Sequence, residues 1–145
     1  IFTLQIAKCN RCIKKLKQEE MESFDLKGPH VSCLFYLYKN DGPLTLKELC
    51  DVCDEDKAAV SRAVDSLEKN GYVACNSKTE KRYKSPLFLT QKGVETAKGI
   101  VEKIDRIVES AGEGVTQKNR EIFYETLQII STNLQRMCDK YGEEL

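Results

Sequence analysis

The stretch that decides the fold reads Leu44-Thr45-Leu46-Lys47-Glu48-Leu49-Cys50-Asp51-Val52-Cys53-Asp54-Glu55-Asp56-Lys57-Ala58-Ala59-Val60-Ser61-Arg62-Ala63-Val64-Asp65-Ser66-Leu67-Glu68-Lys69-Asn70-Gly71. Thr45 followed three residues later by Glu48 is a capping box, in which each residue's side chain bonds the other's backbone amide. It predicts a short helix over residues 46–52. An acidic turn, Cys53-Asp54-Glu55, comes next. Asp56 then opens a second helix over residues 57–70 by accepting from the Ala59 amide. Val60, Ala63, Val64 and Leu67 give that helix one apolar face, and Gly71 supplies its stop. Two helices joined by a tight turn, the second amphipathic, spell a helix-turn-helix.

Downstream the period shortens. Tyr72-Val73-Ala74-Cys75 reads as a strand, residues 77–84 as a polar, basic tip, and Leu87-Phe88-Leu89 as the returning strand. A helix-turn-helix followed by such a hairpin is the winged-helix order. Thr90 caps the next helix, where Val94, Ala97, Val101, Ile104, Val108 and Ala111 recur at steps of three and four until Gly112-Glu113-Gly114 breaks it. A last helix starts near Thr116 with the stripe Phe123, Leu127, Ile130, Leu134, Met137 and Tyr141. Upstream, Phe2, Ile6, Cys9, Ile13 and Leu16 mark a helix over about residues 2–23, and a mostly apolar helix follows Gly28-Pro29 and ends near Asn40. The central unit has a core of its own, so the stripes at the two ends call for each other or for a second copy of the chain.

The expected fold is mainly α with a small β-hairpin wing: a winged helix-turn-helix flanked by N- and C-terminal dimerisation helices. Its 145 residues suit a single domain, with residues 1–27 and 112–145 as the dimerisation helices and 28–111 as the winged core and connecting helix. Charged residues make up 32% of the chain, which points to a large solvated surface, and no apolar run reaches membrane-spanning length. Lys plus Arg and Asp plus Glu both number 23, so no global basic field draws the chain to nucleic acid, and any such site is a local patch. The stretch 1–7 is apolar but carries no basic leader and no cleavage site, so the cytoplasm is expected, with the seven cysteines as thiols. A single histidine, His30, removes most histidine-based catalytic and metal designs. No catalysis and no cofactor are expected.

The segments Leu44-Thr45-Leu46-Lys47-Glu48-Leu49, then Asp56 through Gly71, then Leu89-Thr90-Gln91-Lys92-Gly93, together with the long terminal helices, resemble the MarR family of bacterial winged-helix regulators over nearly the whole chain. The resemblance implies a homodimer built from the terminal helices, a recognition helix in the major groove, a wing in the minor groove, and a ligand or stress signal that releases DNA. Two positions depart from the family pattern. The wing usually carries Asp-x-Arg near its tip, whereas here either Arg82 or Lys84 stands in for that arginine. The turn residue before the cap is usually apolar, and here it is Glu55.

The residue chemistry agrees. Lys57, Ala58, Ser61 and Arg62 lie near the start of the second helix, on the side away from Val60, Val64 and Leu67. Residues near a recognition helix's N-terminus reach base edges, and an arginine there binds guanine or phosphate bidentately. The wing tip carries Lys78, Lys81, Arg82 and Lys84 against Glu80, a phosphate or minor-groove finger. With Thr45 these form the candidate DNA-binding set, and double-stranded DNA is the expected partner. Against it stands the acidic trio Asp54-Glu55-Asp56, expected either to sit over the groove floor, away from the backbone, or to serve mainly as caps.

Cys9-Asn10-Arg11-Cys12 and Cys50-Asp51-Val52-Cys53 are two CxxC pairs. Four thiolates would complete a zinc site, but both pairs fall on predicted helices, where buried thiols serve as small hydrophobes. No metal is therefore assigned. Cys9 and Cys12 remain the candidates for redox sensing. The alternative function is a redox- or zinc-responsive cysteine protein that binds other proteins and not DNA. Phe24, Phe35, Tyr36 and Tyr38 either line a small-molecule effector pocket or form ordinary core. His30, at a helix start, is structural or exposed.

Overall fold

In the computed structural model, residues 1–53, 55–76 and 84–143 are described. Among the described residues six α-helices and three short strands follow in the order α1 (Phe2–Met21), α2 (Gly28–Lys39), β1 (Leu44–Thr45), α3 (Leu46–Val52), α4 (Lys57–Lys69), β2 (Val73–Cys75), β3 (Pro86–Leu89), α5 (Gln91–Ala111) and α6 (Gln117–Glu143). The 3-10 turn Glu22–Phe24 ends α1 earlier than the expected residue 23, and Asp25 follows it in the left-handed region at φ 54°. No helix among the described residues is long and apolar enough to cross a membrane.

Two compact units make up the chain, residues 1–106 and 107–145. In the first, α2, α3 and α4 enclose Val31, Cys33, Leu34, Leu37, Leu49, Cys53, Val60, Ala63, Val64 and Leu67, with Met21, Val73, Leu87, Ala97 and Ile100 completing the core. The apolar face read for the second helix of the motif is thus the buried one. The apolar stripe of α1 is not covered: Phe2, Ile6, Ile13 and Leu16 are each at least 40% exposed. In the second unit Thr116 caps α6 by accepting from the Asn119 amide (3.3 Å), and the Arg120 guanidinium reaches the Gly112 carbonyl (3.5 Å). There too, Phe123, Leu134, Met137 and Tyr141 stay exposed.

The sheet holds one strand more than the sequence announces. β1 pairs antiparallel with β3 (Leu44 opposite Leu87, Thr45 opposite Pro86), and β2 pairs with the other edge of β3 (Val73 opposite Leu89, Cys75 opposite Leu87). Two residues are too few to show an alternating pattern, so β1 exists only because β3 is beside it.

Candidate nucleic-acid interface

The two helices of the motif are fixed by side-chain caps. The Thr45 hydroxyl accepts from the Glu48 amide (3.2 Å), and the Glu48 carboxylate accepts from both the Thr45 amide and hydroxyl (2.8 Å each). Those hydrogen bonds hold the Glu48 carboxyl below its usual range. The only O–H of Thr45 is thereby committed, so this residue keeps no donor for a phosphate. At α4 the Asp56 carboxylate accepts from the Ala59 amide (3.0 Å). The helix ends in a Schellman pattern, with the Gly71 amide on Glu68 O (3.1 Å), the Tyr72 amide on Leu67 O (2.8 Å), and Gly71 at φ 76°.

Between these caps Val60, Ala63, Val64 and Leu67 are buried, while Lys57, Ala58 and Arg62 are exposed and Ser61 is half-buried. Ala58, Arg62, Asp65 and Lys69 follow one another at helical spacing along the outer face, which places an acidic side chain beside the arginine. The acidic turn is also accounted for in part. Asp56 is the α4 cap, and the Glu55 carboxylate lies against Gly28 in the first turn of α2, where a helix favours negative charge. Asp54 lies outside the described residues.

Helix α4 is tied to α5 by the Thr90-Gln91-Lys92-Gly93 segment. The Thr90 hydroxyl donates to Gly71 O (2.6 Å) and accepts from the Gly93 amide (3.1 Å), and the Thr90 amide donates to Tyr72 O (3.0 Å). Lys92 Nζ donates to Asn70 O (2.9 Å) and sits 4.1 Å from the centre of the Tyr72 ring. At Gly93 a Cβ would fall 2.0 Å from Tyr72 O. Each residue of this sequence signature except Gln91 thus touches the end of the α4–β2 junction.

In the wing, Lys84 is exposed immediately before buried Ser85 and strand β3. Lys78, Lys81 and Arg82 lie outside the described residues. Phe24, Tyr36 and Tyr38 pack against the core, and Phe35 meets Tyr36 edge-on at 5.3 Å. His30 Nδ1 accepts from the Lys27 amide (3.2 Å) at the start of α2, and burial, then the charge of Lys27, lower its pKa.

Among the described residues no group of three or more His, Cys, Asp or Glu could hold a metal ion. Cys9 and Cys12 are exposed on α1. Cys53 and Cys33 of α2 are both buried in the same core, and the Cys33 thiol is the first cause that lowers the Cys53 pKa. Cys50, half-buried, has its thiol pKa raised, first by burial.

Comparison with known proteins adds an independent line. Residues 24–82 match the family model for the MarR family. Over 119 residues the chain is 29% identical to YwoH of Bacillus subtilis, an uncharacterized HTH-type transcriptional regulator, covering 82% of this chain and 85% of YwoH. Among solved structures, Staphylococcus aureus MarR in complex with salicylate and kanamycin superposes with a TM-score of 0.82 (18% identity, 93% of this chain, 91% of that one). Staphylococcus aureus MepR in its DNA complex gives 0.77 (17% identity, 92% and 96%). At such identities the two structures establish the fold alone, a winged helix. The family match lies across the capped helix-turn-helix and the first strand of the wing, so residues 24–82 are similar to the MarR family of transcriptional regulators.

Proposed function

We propose that the chain is a sequence-specific, homodimeric repressor that binds a pseudo-palindromic operator and releases it on binding a small-molecule effector. The observation that carries this reading is the outer face of α4, where Lys57, Ala58 and Arg62 stand clear of a core that holds the helix by Val60, Val64 and Leu67. Helix α4 enters the major groove, with Arg62 as the principal base or phosphate contact and Lys57 and Ser61 beside it. Lys84, with Lys78, Lys81 and Arg82, carries the wing onto the backbone and the minor groove. Thr45 serves as the cap of α3. MepR provides the precedent for DNA and Staphylococcus aureus MarR for a small aromatic acid.

Residues 1–27 and 112–145 are assigned to dimerisation, and 28–111 to the winged core and connecting helix. Support comes from the uncovered apolar side chains of α1 and of α6. A two-fold dimer presents its recognition helices about 34 Å apart, one turn of B-DNA. The chain works in the cytoplasm, where it reaches its operator.

A gel-shift with the duplex upstream of the protein's own gene tests the reading. Retarded complex that survives excess non-specific DNA supports it. Equal competition by any duplex would overturn it. A reporter driven by the same region decides the sign: deleting the gene raises expression if the protein represses.

A further inference from the structure

We propose that Thr90 and Lys92 are positioning residues that set which half-site spacing the protein accepts, an inference that rests on the dimeric DNA-binding reading. Far apart in sequence, the end of α4 and the start of α5 meet through polar groups. One hydroxyl serves both: Thr90 Oγ1 donates to Gly71 O (2.6 Å), just past the Asn70 C-cap of α4, and accepts from the Gly93 amide (3.1 Å) in the first turn of α5. Lys92, in the same turn, donates to the C-cap carbonyl of Asn70 (2.9 Å) and holds its ammonium 4.1 Å from the centre of the Tyr72 ring. A helix leaves its last carbonyls without partners of its own and favours a cation beside them.

Apolar packing also joins α5 to the winged core, through Ala97 and Ile100. Burial of that kind fixes proximity but has no direction, so a helix can roll or tilt on it at little cost. Hydrogen bonds demand an angle as well as a distance. Thr90 and Lys92 therefore fix the direction of α4 relative to α5.

The consequence concerns spacing. Helix α5 runs on to Ala111, and from Ile107 the chain belongs to the second compact unit. On the proposed function residues 112–145 hold the partner copy. The angle fixed at the first turn of α5 then decides where each recognition helix lands. A rigid joint accepts one separation of half-sites, and a loose joint accepts neighbouring separations too. Bases are still chosen by the outer face of α4, and Thr90 and Lys92 act through that helix.

The test uses the full chain and the operator footprinted in the duplex upstream of the protein's own gene. A second duplex carries one extra base pair at the dyad, which turns one half-site against the other by roughly a tenth of a helical turn. The parent should bind the lengthened duplex about tenfold more weakly, close to the cost of one mismatched base pair. Thr90→Val and Lys92→Met should narrow that ratio to about threefold or less. Thr90→Ser and Lys92→Arg, which keep the hydroxyl and the cationic donor, should hold it at the parent's value. A merely structural role would weaken both duplexes alike and leave the ratio unchanged, and that result overturns the proposal. So does a ratio that narrows equally in the two conservative variants. Should Thr90→Val fail to fold by circular dichroism, Lys92→Met, at an exposed position, carries the test. A parent that binds both duplexes equally defeats the two-half-site reading itself, whereas a discriminating parent with equally discriminating variants defeats only the joint.

Discussion

Arg62 is the residue on which the DNA reading turns, because it is exposed beside two fully buried neighbours, Ala63 and Val64. Arg62→Ala removes a charged donor and opens no cavity. The melting temperature should hardly move, since such surface changes stay within about 0.5 kcal/mol. Operator affinity should fall by roughly 1–3 kcal/mol, with relaxed choice at one base position per half-site. Ser61→Ala, at a half-buried position with a single neutral hydroxyl, should do less. Filter binding against an operator series measures both, and an unchanged Arg62→Ala profile would remove α4 from the groove. His30 makes a different prediction. Its Nδ1 must be unprotonated to accept from Lys27, and its pKa is lowered from 6.5 in the folded chain. The unfolded chain therefore binds more protons in that range, so this contribution is intact above 6.5 and is lost as the pH falls through the lower, folded pKa. His30→Gln keeps an acceptor at a position that favours one and should flatten the fall in melting temperature between about pH 7 and pH 5. Parallel curves for the two proteins would exclude His30 as the cause.

At the scale of elements, the junction of α4, β2 and α5 behaves as one latch. Gly93→Ala would drive a Cβ against the Tyr72 carbonyl, a backbone atom that cannot swing aside. We expect a loss of roughly 1–3 kcal/mol by overpacking, read from urea unfolding, and a variant as stable as the parent would show that the backbone yields there. The wing makes a prediction about salt. Replacing Lys81 and Arg82 by Ala should weaken all duplexes alike and flatten the dependence of affinity on salt; a loss confined to the operator would mean that the wing reads bases. What the sequence made legible was local. Thr45 and Glu48, Asp56 and Ala59, and Gly71 act within four residues of one another, and each bond falls where spacing placed it. Strand β1, the approach of Glu55 to Gly28 and the shared core of Cys33 and Cys53 depend on distant segments meeting, and no short pattern encodes that. The CxxC spacing groups Cys53 with Cys50, yet the residue that most lowers the Cys53 thiol pKa is Cys33 of α2. For the candidate site, the outward face of Lys57, Ala58 and Arg62 follows from helix periodicity, whereas the commitment of the Thr45 hydroxyl to Glu48 appears only once the side chains are placed.

For the whole molecule the decisive quantity is uncovered apolar surface. Helix α1 exposes Phe2, Ile6, Ile13 and Leu16, and α6 exposes Phe123, Leu134, Met137 and Tyr141, each helix in a periodic row. Scattered apolar side chains are ordinary on a protein surface, but contiguous rows mark an interface. On the proposed function the partner is a second copy of the chain, because two α4 helices related by a dyad would match two half-sites where one would offer few base contacts. Sedimentation should therefore give about 33 kDa, twice the 16.5 kDa of one chain. Placing charge in the α6 row, as in Phe123→Glu with Met137→Glu, should yield a monomer that keeps its helical signal, because these side chains lie outside the core of residues 1–106. That monomer should retain Arg62 and yet lose most operator affinity, since each half-site then binds without the other. Removal of residues 116–145 should have the same effect on mass. A charged-row variant that remains dimeric would place the interface elsewhere, and a monomer that holds the operator at the parent's affinity would show that the two half-sites are not read together.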